Sequence, residues 1–120
     1  AAEQGEATAQ FNLGAIYERG GEGVRIDYPN AIKWYKKAAE QEHVFAQTNL
    51  GLMYMKGRGM DKNPEEAAKL FLKSAEHGDV IAQNSLAMMY EAGIGVPQNS
   101  QESSKWYSKV AEQSKKQKPQ

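Results

Sequence analysis

The sequence predicts an all-α solenoid of helix-turn-helix units, and three observations carry that prediction. Ala46, Gln47, Leu50, Gly51 and Tyr54 are matched 36 residues later by Ala82, Gln83, Leu86, Ala87 and Tyr90, and one step earlier by Ala9, Gln10, Leu13, Gly14 and Tyr17. Each period holds two stretches whose apolar residues recur at helical spacing. A glycine pair separates the two stretches: Gly21 and Gly23, Gly57 and Gly59, Gly93 and Gly95. A period of this length with two helical patterns marks an array whose units bury their apolar faces against their neighbours alone.

The register divides residues 1–120, a single solenoid domain, into units at 7–43, 44–79 and 80–114. The first step is 37 residues because the first loop, Gly20-Gly21-Glu22-Gly23, carries one more residue than the others, which reads as a surface turn. Residues 1–6 superpose on the ends of the other second helices, since Ala2-Glu3-Gln4 matches Ala39-Glu40-Gln41, and are expected to be the end of a preceding repeat. The last unit carries a polar terminal cap, with Ser103 and Ser104 in place of Ala67 and Ala68, and residues 115–120 are expected to be a basic tail.

The first helices are expected at 7–19, 44–56 and 80–92. On a helical wheel Ala9, Leu13, Ile16 and Tyr17 share one side, repeated as Ala46, Leu50, Met53 and Tyr54 and as Ala82, Leu86, Met89 and Tyr90. Small residues let a neighbouring helix approach, and the large ones fill the space between. The glycines then stop each helix, because a left-handed cap costs glycine nothing. They are not a phosphate loop, which needs a strand before them. Asp27, Asn63 and Asn99 are N-cap residues of the second helices, with Pro64 and Glu66 completing a capping pattern in the middle copy. Inward positions are Ala31, Trp34, Tyr35, Ala38 and Ala39; then Ala67, Leu70, Phe71 and Ala75; then Ser103, Trp106, Tyr107, Val110 and Ala111. Lys33, Lys37, Lys69, Lys73, Lys105 and Lys109 form a ridge on the outer side, a solvated face with acidic residues beside it.

Composition narrows the chemistry. The formal net charge is 0, with 15 basic and 15 acidic side chains, so nothing draws the chain to nucleic acid. No apolar run is long enough to insert in a membrane. The absence of cysteine removes disulfides, thiolate metal sites and a thiol nucleophile. His43 and His77 fall out of register, with no zinc or acid-base spacing around them, and Ser100, Ser103, Ser104 and Ser108 lie in no nucleophile elbow. Neither a catalytic constellation nor a cofactor or metal site is predicted.

Ala7-x-Ala9-Gln10-x-x-Leu13-Gly14-x-x-Tyr17, Gly21-x-Gly23-Val24 and Ala31-x-x-Trp34-Tyr35-x-Lys37-Ala38-Ala39-Glu40 together resemble the Sel-1-like repeat, a relative of the tetratricopeptide repeat. The match extends over three copies. The resemblance implies a right-handed α/α solenoid serving as a protein-protein interaction scaffold or adaptor, in settings that include the bacterial periplasm or envelope, secretion and eukaryotic quality control. Cysteine-paired members have been linked to β-lactam binding, which this cysteine-free chain does not inherit.

In related solenoids the first-helix side opposite the packed one lines a concave groove. Here it carries Thr8, Phe11, Ala15, Glu18 and Arg19; Phe45, Thr48, Leu52, Met55 and Lys56; and Ile81, Asn84, Met88, Glu91 and Ala92. Apolar side chains on such a face mark a partner surface. Two readings compete: a groove for a peptide or partner protein anchored by Phe45, Leu52, Met55 and Met88, or a structural spacer in which self-association covers this side.

Overall fold

The computed structural model describes residues 2–117 as six helices: α1 (Ala2–Arg19), α2 (Tyr28–Glu40), α3 (Val44–Lys56), α4 (Pro64–Glu76), α5 (Val80–Ala92) and α6 (Ser100–Gln117). Within units α1 packs on α2, α3 on α4 and α5 on α6; between units α2 packs on α3 and α4 on α5. No strand forms among the described residues; one bridge closes the first loop, pairing Gly21 with Val24.

The second helices begin as their caps dictate. Side-chain oxygens of Asp27, Asn63 and Asn99 each accept a backbone N–H three residues on, at 3.1 Å in every copy. The cap's own N–H does not go to a glutamate side chain, as a capping box would have it. It donates to a first-helix carbonyl: Asp27 to Tyr17 at 2.8 Å, Asn63 to Tyr54 and Asn99 to Tyr90 at 2.9 Å. One main-chain bond thus closes every loop, including the longer first one.

The glycines divide two tasks. Gly57 and Gly93 cap α3 and α5 in the left-handed conformation, at φ 69° and 70°. In the first unit Gly20, not Gly21, does this, at φ 72°, and the added residue falls behind the cap. The second glycine of each loop also has positive φ, and in the second and third loops it matters for proximity. A Cβ on Gly59 would lie 2.5 Å from Tyr28 Cβ, and one on Gly95 2.5 Å from the Pro64 carbonyl. The second and third loops therefore sit on the start of the preceding unit's second helix.

Two clusters form the core. One joins Ala31, Ile32, Tyr35 and Ala38 of α2 to Ala46, Leu50 and Met53 of α3; the other joins Ala67, Phe71 and Ala75 of α4 to Ala82, Leu86 and Met89 of α5, with Trp106. Two second-helix aromatics seat on first-helix glycines: a Cβ on Gly14 would be 2.6 Å from the Tyr35 ring, and one on Gly51 2.8 Å from the Phe71 ring.

Four expectations need correction. Leu13 and Ile16 are 38% and 43% exposed, and Ala9 is exposed too, whereas their counterparts Leu50 and Met53 are buried beneath α2. Nothing in the described structure crosses α1 at that place. Tyr107 and Ala111 of α6 are likewise exposed, because no helix covers them as α5 covers Phe71 and Ala75. Residues 2–6, read as the end of a separate helix, continue α1 without a break. Their register partners Glu42 and Gly78 turn the chain at φ 66° and 93°, but Gly5 does not. Finally, the expected tail at 115–120 is helical through Gln117, and residues 118–120, like Ala1, lie outside the described residues.

Candidate partner-binding groove

The first helices bring most of the expected residues into two adjoining pockets. The pocket between α1 and α3, about 400 Å³, is lined by Phe11, Ala15, Glu18, Leu52 and Lys56 with Arg19, Tyr35, Asn49, Met53 and Arg58. The pocket between α3 and α5, about 340 Å³, is lined by Leu52, Met55, Lys56 and Met88 with Phe71, Ser85, Met89, Ala92 and Ile94. Leu52 and Lys56 belong to both.

Their floors differ through one exchange. In the first, Tyr35 Oη donates to Glu18 Oε1 at 2.6 Å, and Asn49 Nδ2 donates to Tyr35 Oη at 3.4 Å. Burial, with the Glu18 carboxylate beside it, pushes the Tyr35 hydroxyl well above the ordinary phenol range, so it stays protonated and donates. Arg58 approaches Glu18 Oε2 at 3.6 Å. One repeat further, Phe71 and Met55 replace Tyr35 and Glu18, and the second floor is apolar. In the third copy the polar pair returns, Tyr107 donating to Glu91 at 3.1 Å.

Other expected residues stand apart. Thr48 is 2% exposed, and its hydroxyl is spent internally: it pairs with Ser74 and donates to Asp79 Oδ2 at 2.9 Å, while Asp79 caps α5 by accepting from Ala82 N–H at 2.9 Å. It ties α3 to α4 and to the cap of α5 instead of opening onto the groove. Phe45 and Ile81 line a separate shallow groove at the starts of α3 and α5. Asn84 and Glu91 are exposed and line neither pocket.

Tyr35, Asn49 and Arg58 are the polar contributors to the first pocket that sequence reasoning missed. Asn49 had a signal, since 45, 49, 52 and 56 form an i, i+4, i+7, i+11 stripe. Arg58 lies on a loop, where periodicity is silent. The two outer lysine pairs of the ridge pack on indoles: Lys33 and Lys37 lie 5.4 and 5.1 Å from the Trp34 ring, Lys105 and Lys109 5.3 and 5.8 Å from Trp106.

His43 is half-buried. It stacks on Phe11, centroids 4.8 Å apart, and its Nδ1 accepts the Ala46 N–H at 3.2 Å, so it caps α3 as Asp79 caps α5. His77 is exposed, its Nδ1 against the Lys73 carbonyl. Burial lowers the His43 pKa below the ordinary imidazole value. The unfolded chain therefore takes up this proton first on acidification. Stability is full above the unfolded value, near pH 6.5, and is lost as pH falls through the folded one. The urea midpoint should drop between about pH 7.5 and about pH 5, and His43→Asn, a cap that does not titrate, should drop less. Equal drops would dismiss His43 as the source.

Among the described residues no group of three or more acidic or histidine side chains could hold a metal ion, and no helix is long and apolar enough to cross a membrane. A family model described as Sel1 repeat matches residues 7–43, 44–79 and 80–115. An ERAD-associated E3 ubiquitin-protein ligase component, HRD3B of Arabidopsis thaliana, is 36% identical over 61 residues, which is 51% of this chain and 9% of that protein. Chitin synthase regulatory factor 3 of Schizosaccharomyces pombe is 40% identical over 65 residues, 52% of this chain and 7% of that protein. The chain thus spans under a tenth of the length of these relatives. A crystal structure of a protective antigen present in uropathogenic Escherichia coli strains, displaying an SLR fold, is similar at TM-score 0.87 and 44% identity over 93% of this chain and 24% of that one.

Proposed function

Because the chain belongs to the Sel1 repeat family, we propose that it is a non-catalytic protein-interaction module that takes a peptide or partner protein on its concave first-helix face. The observation that carries the reading is the pair of adjoining pockets, where Leu52, Met55 and Met88 remain accessible although the core lies beneath them. Methionine linings adapt to partners of varied shape. That relatives include a ligase component and a synthase regulatory factor agrees with work done through other proteins.

Affinity capture from a source lysate, comparing the native chain with Leu52→Lys, Met55→Glu, tests it. Circular dichroism establishes that both fold. Partners are expected to be lost from the variant, and equal capture by both would remove the site from this face. A second reading, self-association, is favoured by the exposed Leu13 and Ile16 on the outer side of α1. Sedimentation would support it if the native chain dimerises and Leu13→Lys, Ile16→Lys does not.

A further inference from the structure

We propose that the groove selects an extended segment bearing an aspartate or glutamate side chain a few residues from a large apolar one. The acid lies between α1 and α3, and the apolar side chain between α3 and α5. The inference rests on the concave-face reading above and adds the chemistry of the ligand.

Charge complementarity places the acid. Arg19, Lys56 and Arg58 line the first pocket against one carboxylate, Glu18. Glu18 is already answered by Tyr35 Oη at 2.6 Å and Arg58 at 3.6 Å. Arg19 and Lys56 form no ion pair among the described residues. The lining therefore holds a surplus of positive charge that the protein does not compensate, and a carboxylate entering between these side chains would gain charge-assisted hydrogen bonds.

The second pocket offers the opposite chemistry. Phe71 and Met55 stand where Tyr35 and Glu18 stand one repeat earlier, and Lys56, at its border with the first pocket, is its one charged residue. At the third equivalent place Ala92 replaces the cation, so the basic end of the groove lies at α1 and α3. A ligand is thereby given one register: acid first, apolar next.

Asn49 points to an extended ligand. Its amide makes one long bond, 3.4 Å to Tyr35 Oη, and its remaining donor and acceptor capacity suits a main chain with unpaired groups, which a helix does not present. Successive same-side residues of an extended segment lie about 6–7 Å apart, so pockets that share Leu52 and Lys56 are spanned within a few residues. Beyond the acid pocket the surface continues over Phe11, His43 and Phe45. The segment runs on in both directions, and the carboxylate is a side chain rather than a chain end.

The probe is a random peptide library held between fixed flanks, selected on the folded native chain and counter-selected on Leu52→Lys, Met55→Glu. Selected peptides should share an acid within a few residues of a large apolar residue. Replacing that acid by its amide should weaken binding about tenfold, and Arg19→Gln, Lys56→Gln should bind acid and amide forms alike. Groove-dependent peptides without an acid would overturn this inference and leave the concave-face reading standing. An acid preference that survives in Arg19→Gln, Lys56→Gln would overturn the assignment to these cations. Peptides indifferent to the Leu52 and Met55 changes, or none at all, would remove both readings.

Discussion

Phe71→Ala should cost about 3–5 kcal/mol of folding free energy, the range for emptying a fully buried aromatic site. The ring is inaccessible, seated on Gly51 of α3 and packed among Ala67, Ala75, Leu86 and Met89. It stands where the second and third units meet. In an array whose units touch only their neighbours, losing that contact weakens both the unit and its junction. Urea unfolding followed by circular dichroism should show an earlier and broader transition, and Phe71→Leu, which refills most of the space, a much smaller shift. A loss below about 1 kcal/mol for the alanine variant would mean that α3, α4 and α5 close over the gap.

Gly95→Ala is expected to cost about 3 kcal/mol, of which a left-handed backbone accounts for about 1–2 and steric overlap for the rest. Gly95 lies at φ 74°, and its added methyl would lie 2.5 Å from the Pro64 carbonyl oxygen and 2.8 Å from Met89 Cε. Gly23 provides the control within the same chain. Its φ is 73°, but a methyl there meets nothing within 4 Å, so Gly23→Ala carries the backbone cost alone. Unfolding midpoints of the two variants separate conformational strain from proximity. Equal losses would show that the loop yields and that the seat on Pro64 is not tight.

The fold was legible because its determinants are local and repeated. Periodicity located α3 and α5 at the residues observed, and three asparagine or aspartate caps located the second-helix starts. Legibility failed wherever a neighbour decided the outcome. Leu13 and Leu50 occupy the same place in the repeat, and only the helix lying across one of them makes their burial differ. Thr48 has the wheel position of a groove residue, yet Ser74 and Asp79 from two other helices claim its hydroxyl. The groove was readable as a face but not as two pockets of unlike chemistry. The exchange of Tyr35 and Glu18 for Phe71 and Met55 stood in plain register, but it gains meaning only once ring and acid are known to touch.

The loop-closing bond from each N-cap amide to a tyrosine carbonyl involves no side chain. Loop length and loop composition are therefore released from the job of holding the helix pair together. The first loop demonstrates this by carrying its additional residue while keeping the closure at 2.8 Å. Diversification has one place to act, the outward arc behind the capping glycine. The inner edge, where Gly59 and Gly95 lie on the preceding unit, has no such latitude. Grafted sequence or reporter tags belong on that arc.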